Sequence, residues 1–258
     1  MGLLRSIYSS IERVARTKGY RITWAPQIVI DKPGAELDFD LEFVIAHLML
    51  KKRDVFFLQI GANDGITNDP LHKFVTEFGW SGVLVEPMPD SFSALTETYR
   101  GQGNLKLVNA ALSETDGQRT LYTVRIDTGT FQKAEMYSSF DKNVVLRNSR
   151  FVPDIAERIV EVRVPCVSMK TLLRETGGRN IDILAVDAEG FDYQILKMID
   201  FSVVNPAIII FEHTHLSKSD QQVAARLLAE HGYRMARDNL DTIAYRPGFT
   251  YGWRSAGA

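Results

Sequence analysis

The side chains able to do acid–base, hydrogen-bonding or cation chemistry gather where apolar runs end. Residues 55–60 run into Gly61-Ala62-Asn63-Asp64-Gly65, with Asp69 a few positions on. Residues 82–85 end in Glu86, residues 182–186 in Asp187-Ala188-Glu189-Gly190, and residues 207–211 in Glu212-His213. A carboxylate at a strand end can accept hydrogen bonds from ribose hydroxyls, hold an ammonium, take a substrate proton or ligate a cation. A strand, a glycine loop, a helix and a second strand ending in an acid make the first half of a nucleotide-binding α/β unit. Glu86 stands where such an acid meets a ribose.

The loop differs from a dinucleotide fingerprint. G-x-G-x-x-G uses its middle glycine to let the backbone approach a pyrophosphate, and Asn63 occupies that place. Asp64 and Asp69 would repel a pyrophosphate and attract an ammonium or a sulfonium. S-adenosylmethionine carries a ribose, an ammonium, a carboxylate and a sulfonium but no phosphate, so the loop favours it over NAD. The alternative is a tight strand-to-helix turn with no ligand. Residues 105–112 read as a third strand whose small Ala110 and Ala111 leave space for an adenine ring. The expected cofactor contacts are Gln59, Gly61, Ala62, Asn63, Asp64, Gly65, Asp69, Glu86, Asn109, Ala110 and Asp187.

The elements that must position these groups follow from the apolar pattern. Residues 182–187 and 207–212 read as fourth and fifth strands. Continuous apolar runs suit a parallel sheet covered on both faces, and open α/β sheets bind ligands at their carboxyl edge. Asp69-Pro70 starts one helix. Pro89 starts another, with Phe92, Leu95 and Tyr99 inward. Ser168 caps a short helix. Ser217 starts one with Val223, Leu227 and Leu228 inward. Residues 233–236 and 242–245 form a closing hairpin. The expected fold is a mostly parallel, Rossmann-like α/β sheet with helices on both faces and a terminal antiparallel hairpin.

In this order, Ile60-Gly61-Ala62-Asn63-Asp64-Gly65, Val85-Glu86-Pro87, Asn109-Ala110-Ala111, Asp187-Ala188-Glu189-Gly190 and Ile210-Phe211-Glu212-His213 resemble the FkbM family of S-adenosylmethionine-dependent methyltransferases. The resemblance covers residues 55 to about 245. It implies a class I methyltransferase fold with a seven-stranded sheet, S-adenosylmethionine as cofactor, and usually O-methylation of a sugar or polyketide hydroxyl. A small-molecule or glycan acceptor is therefore expected. Ala188 departs from the family, where a larger aliphatic residue is commoner, and this changes the pocket beside Asp187.

Methyl transfer to oxygen needs the acceptor held in line with the methyl group and its proton removed. His213 is the expected base, because an imidazole titrates near neutrality; a structural histidine bonding a backbone carbonyl is the competing reading. Asp187 and Glu189 are the other catalytic candidates, with His72 and His215 ranked below. Ser139, Glu212 and His213 are expected on the acceptor. No metal is expected, since no dense ligand cluster shows in the sequence. Asp187, Glu189 and Glu212, joined by His213, are the alternative cation set.

Residues 1–52 read as an N-terminal helical extension, and residues 53–258 as the catalytic domain with an insert at about 125–160. Strand-like residues 118–124 and 159–167 flank the insert. Its Phe131, Tyr137, Phe140 and Phe151, mixed with Lys133, Lys142, Arg147 and Arg150, suit either an acceptor lid or a packing wall. A helix over residues 35–51 carries Phe39, Phe43, Ala46 and Leu50 on its apolar face. Leu3, Leu4, Ile7, Ile11 and Val14 share a face near several basic residues. Packing on the domain or on a second subunit is favoured there over a membrane surface, which leaves a homo-oligomer open. Met1-Gly2 with Ser6 matches a short acylation pattern. The net charge of −2 argues against nucleic-acid binding. No apolar run reaches transmembrane length and no secretory signal is visible, so stable membrane insertion is not expected and a cytoplasmic location is the default. The lone Cys166 excludes an internal disulfide and reads as packed.

Overall fold

A computed structural model of the chain describes residues 21–24, 28–31, 41–125, 137–150, 152, 154–237 and 240–246. The N-terminal apolar stripe, the acylation pattern, the start of the helix expected from residue 35, and Phe131, Lys133 and Phe151 lie outside the described residues. Strands β1 (Arg21–Trp24) and β2 (Ile28–Asp31) form an antiparallel pair, so the segment expected to be helical contains a hairpin. Their alternating Ile, Thr and Val residues have high strand propensity.

Helix α1 (Leu41–Lys51) precedes a run of alternating elements. These are β3 (Phe56–Ile60), α2 (His72–Phe78), β4 (Ser81–Val85), α3 (Pro89–Thr98) and β5 (Leu105–Val108). A second set interrupts the alternation: β6 (Ala111–Leu112), β7 (Gly117–Val124), α4 (Lys142–Leu146), a 3-10 turn (Arg147–Arg150), α5 (Ile155–Arg158) and β8 (Ile159–Val167). The alternation then resumes with α6 (Met169–Glu175), β9 (Ile183–Val186), α7 (Asp192–Lys197), β10 (Ile208–Glu212) and α8 (Lys218–Glu230). It closes on β11 (Arg234–Arg237) and β12 (Asp241–Tyr245).

The main sheet has seven strands in the order β11-β12-β10-β9-β3-β4-β5. The run from β10 to β5 is parallel, and β12 is antiparallel to both of its neighbours. Side chains alternate across the strands, so two apolar layers form. Leu58, Val83, Leu184 and Phe211 pack with Leu196 of α7 and Leu228 of α8. Phe57, Leu84 and Ile210 pack with Ile45 of α1, Val75 of α2 and Leu95 of α3.

Helix α1 therefore belongs to the core rather than to an extension, and Lys52 Nζ pairs with Asp182 Oδ1 at 2.7 Å just before β9. It buries Val44, Ile45, Ala46, Leu48 and Met49; of the expected face, Ala46 is buried and Leu50 only half-buried. This helix is apolar almost all round, so periodicity alone could not choose its inward side.

The expected single strand over residues 105–112 is broken. Ala110 N donates to Val108 O at 3.1 Å, and β6 leaves the main sheet to pair with β8. The small sheet runs β6-β8-β7, with β7 antiparallel to β8. Helix α2 begins two residues later than Asp69-Pro70 predicts, because Asp69 Oδ1 accepts from the backbone of Leu71 and His72 and caps the turn from outside. The Ser168 and Ser217 caps form as expected. On α8, Val223 is 38% exposed and Ala224 takes the inward place. Cys166 is buried, and burial pushes its thiol up. Among the described residues no helix is long and apolar enough to cross a membrane.

Candidate active site

The carboxyl ends of β3, β4, β9 and β10 open into a cavity of about 760 Å³. On the β3–β4 side, Gly61 and Ala62 donate backbone N–H groups to Val85 O at 2.9 and 3.1 Å, which folds the loop over the end of β4. Gly61 has φ +81°, and a Cβ there would lie 1.7 Å from Asp187 O. The glycine is thus required where two loops cross. Asn63 also sits in the left-handed region, at φ 47°. Its N–H donates to Glu86 Oε2 at 2.9 Å, and its Oδ1 accepts from Ser91 Oγ at 2.7 Å. Met88 N donates to Glu86 Oε1 at 2.9 Å. Burial still pushes the Glu86 carboxyl up to about 7, against those two N–H groups.

Asp69 lines the same side of the cavity and is half-buried. Burial raises its carboxyl to about 6, opposed by the Leu71 N–H, the Gln59 amide beside it and the His72 N–H. Asp69 Oδ2 and Gln59 Oε1 are buried and have no hydrogen-bond partner among the described residues. Two unpartnered acceptors in one wall are costly unless a donor arrives.

The β9–β10 side is built differently. Asp187 N donates to Ile60 O at 2.9 Å. Glu189 and Gly190 then take left-handed backbone conformations, at φ 48° and 90°. Wholly buried Asp192 holds this turn, its Oδ2 accepting from Gly190 N at 3.2 Å and its Oδ1 from Ala188 N at 3.4 Å. Burial and then the Glu212 charge push Asp192 up to about 8. His215 Nδ1 lies 2.8 Å from Glu189 Oε2 and 3.1 Å from Glu212 Oε2. Neither oxygen lies along the ring N–H direction, so Glu212 Oε2 and His215 Nδ1 count as unpartnered despite these short distances. Thr214 Oγ1 donates to Glu212 Oε1 at 2.5 Å.

Charge crowding sets the protonation pattern on this side. Burial, then Glu189 and Glu212, hold the Asp187 carboxyl well above its ordinary range. Burial pushes Glu189 up to about 7, with His215 opposing and Glu212 adding to it. Burial also opposes ionisation of Glu212, but the closeness of His215 and Thr214 outweighs it and the carboxyl is lowered. His215 is raised to about 10 by Glu189 and Glu212, against burial.

Gln59, Gly61, Ala62, Asn63, Asp69 and Glu86 all line the cavity, and so do Ala110, Ser139, Asp187, Glu189 and Glu212. Asp64, Gly65, Asn109 and His213 do not. Asp64 accepts from Ile66 N, Thr67 N and Thr67 Oγ1, and these bonds lower its carboxyl in spite of partial burial. A Cβ on Gly65 would meet the Tyr99 ring at 2.6 Å, so this glycine serves packing. Asn109 Nδ2 donates to Glu86 O at 2.8 Å and holds the loop after β4. His213 N donates to Leu240 O at 3.0 Å, and its ring Nδ1 pairs with Thr242 Oγ1 at 3.2 Å. Burial and Arg237 lower its pKa.

The histidine at the cavity is His215, which sequence reasoning ranked low. The bond from Leu216 N to His213 O, 3.2 Å, turns the chain so that residue 215 comes back beside Glu212. Glu189, Glu212 and His215 form the dense ligand-type cluster that the sequence did not show, and Asp187 lies outside that trio. Asp192 was missed as well; its position two residues after Gly190 was the available signal. In the insert, Ser139 exchanges two backbone bonds of 2.9 Å with Tyr122. Phe140 packs edge-on against Phe191 at 5.3 Å, with the Arg119 guanidinium 4.1 Å above the Phe140 ring. The described part of the insert is thus an anchored wall of the cavity.

This strand order, with β12 reversed and the cavity at the carboxyl ends, defines a class I methyltransferase fold. The methyltransferase FkbM domain profile matches residues 59–235, and the chain belongs to that family. Its fold is similar to that of the methyltransferase FkbM from Methylobacillus flagellatus KT, at 12% identity and a TM-score of 0.47, covering 75% of this chain and 43% of that one. It is also similar to precorrin-6y C5,15-methyltransferase from Geobacter metallireducens GS-15, at 12% identity and a TM-score of 0.40, covering 80% of this chain and 86% of that one. The Methanococcus jannaschii fibrillarin pre-rRNA processing protein matches at 12% identity and a TM-score of 0.40, over 87% and 80% of the two chains. At these identities the likeness is one of fold. No curated protein matches the sequence. The family makes this protein a methyltransferase.

Proposed function

We propose that the protein uses S-adenosylmethionine to methylate a hydroxyl of a sugar or glycan. The observation that carries the cofactor reading is the pair of unpartnered buried acceptors, Asp69 Oδ2 and Gln59 Oε1, in the same cavity as Glu86. An ammonium has three donors and satisfies both acceptors. Glu86 uses each carboxylate oxygen once for a backbone N–H, leaving each free to accept from a ribose hydroxyl. Ala110 and Ala111 leave room beside these groups for a flat base. When bound, this cofactor supplies a methyl group made electrophilic by its sulfonium.

The chain must then orient an acceptor oxygen and receive its proton. Glu189 and Glu212 are the carboxyl groups placed to receive the proton from the β9–β10 side, with His215, which they hold protonated near neutrality, placed to orient the oxygen. Tyr137, Ser139, Arg147 and Asn148 of the insert add hydrogen-bonding groups to the lining. So many polar groups favour an acceptor with several hydroxyls over an apolar one. The cavity falls within the usual range for small-molecule sites. Calorimetric titration with S-adenosylmethionine should show one molecule bound per chain. Labelled methyl transfer should then favour sugars over apolar hydroxyl compounds. Tight NADH binding without S-adenosylmethionine affinity would overturn the cofactor reading, and transfer only to apolar hydroxyls would overturn the acceptor reading.

A further inference from the structure

Glu189, Glu212 and His215 are close enough to pair, but the alignment of a hydrogen bond between them is missing. The two carboxylate oxygens lie 2.8 and 3.1 Å from His215 Nδ1, and all three atoms fall within 4.8 Å of one another. A simple imidazolium–carboxylate pair would direct its N–H at one oxygen. Here it is directed at neither. Glu212 is only 9% exposed, yet its Oε2 has no partner among the described residues, while Thr214 fixes its other oxygen. A buried carboxylate oxygen left this way carries a desolvation cost that a ligand would remove.

A cation accounts for each of these features. Neighbouring ligands around an octahedral ion with bonds of ~2.1 Å lie about 3 Å apart, which is the spacing from Nδ1 to each oxygen. Glu189 Oε2, Glu212 Oε2 and His215 Nδ1 would be the atoms that hold the ion. One imidazole nitrogen with two carboxylate oxygens suits Mn²⁺ or Zn²⁺ better than Mg²⁺, which prefers oxygen alone. The ligand loop is also held in shape, because Asp192 fixes the backbone on both sides of left-handed Glu189.

We propose that Glu189, Glu212 and His215 bind a divalent transition-metal cation of the Mn²⁺ type at the edge of the cavity. Three protein ligands leave coordination positions for oxygen donors. The further statement that the cation orients an acceptor hydroxyl and lowers its pKa rests on the methyltransferase reading; the binding site does not.

The test uses the full chain after treatment with a chelator and its removal. Mn²⁺ binding is followed by loss of the free-ion electron paramagnetic resonance signal, and Zn²⁺ and Mg²⁺ binding by calorimetry, without cofactor or acceptor. One Mn²⁺ should bind per chain with a micromolar dissociation constant. Glu212→Gln, Glu189→Gln and His215→Ala should each weaken it at least about tenfold, and His213→Ala should leave it unchanged. The Glu→Gln variants keep side-chain shape, and a thermal melt confirms that they fold. Failure of all three cations to bind below millimolar concentration would overturn the proposal, as would binding that survives all three substitutions. Parallel titration with S-adenosylmethionine keeps the two readings apart: cofactor binding without metal sinks only the cation site, and metal binding without cofactor sinks only the methyltransferase reading.

Discussion

Glu86 directly follows β4 and Glu212 ends β10; both are buried, and both line the same cavity. Glu86 is met by two backbone N–H groups from loops next to it. Glu212 is met by the Thr214 hydroxyl at Oε1, while its Oε2 lies 3.1 Å from the His215 imidazole without an aligned hydrogen bond. Backbone donors cannot titrate or rotate away, so the β3–β4 side is set in shape by folding itself. Ionisable side-chain neighbours can change charge and can exchange one another for a ligand. The difference separates a preformed cradle from a site whose electrostatics answer to what enters it.

The largest effect should come from breaking the junction of the two sides. Gly61→Ala forces a Cβ onto the Asp187 carbonyl at φ +81°. Overpacking and backbone strain together are expected to cost about 3–5 kcal/mol, or to prevent folding. A urea unfolding midpoint equal to that of the parent protein would show that the loops do not cross there.

Turnover should distinguish the two histidines almost as strongly. His215→Ala is expected to lower kcat by roughly tenfold or more, because Glu189 and Glu212 lose the imidazolium between them, with cofactor affinity unchanged. His213→Ala, at a residue outside the cavity, should change kcat less than about threefold. The reverse order would return the chemistry to His213.

Stability of the cofactor-free protein should depend on pH through Glu86. Its folded carboxyl is raised to about 7 from the ordinary 4.5, so between these values the folded state holds a proton that the unfolded chain has lost. Glu86 therefore contributes roughly 3 kcal/mol of stability that is lost as pH rises through that window, and Glu86→Gln should make the fall shallower while the raised carboxyls of Asp69, Glu189 and Asp192 keep the rest of it. A thermal melt that rises over the same window in the parent protein would contradict the preformed cradle.

Asp69 should give the smallest effect. An ammonium favours the ionised carboxyl, so S-adenosylmethionine affinity should rise as pH rises through about 6, the value to which burial lifts this group. Asp69→Asn should weaken binding by about 1.5–3 kcal/mol and reduce the pH dependence to the part that Glu86 carries near pH 7. Calorimetry at pH 5 and pH 8 measures both.

Much of this arrangement was legible in the chain alone. Apolar runs ending in glycine or acid marked β3, β4, β9 and β10, because a buried parallel strand needs unbroken apolar residues and its ligand edge needs polar ones. Most of the residues expected at the cofactor reached the cavity, since their positions follow directly from where those strands stop. The helix caps at Ser168 and Ser217 were equally local.

Other features depended on partners far away in sequence. Nothing near Gly61 shows that it must pass the Asp187 carbonyl, and nothing in α1 shows which side meets Phe57. The choice of His215 over His213 rests on one turn after β10 and on Glu189, whose own direction is held by buried Asp192. Local composition determined the strands, the loops and the kinds of groups at their ends. Tertiary packing decided which of those groups face one another, because burial, loop crossing and charge crowding arise only when distant segments share the same space.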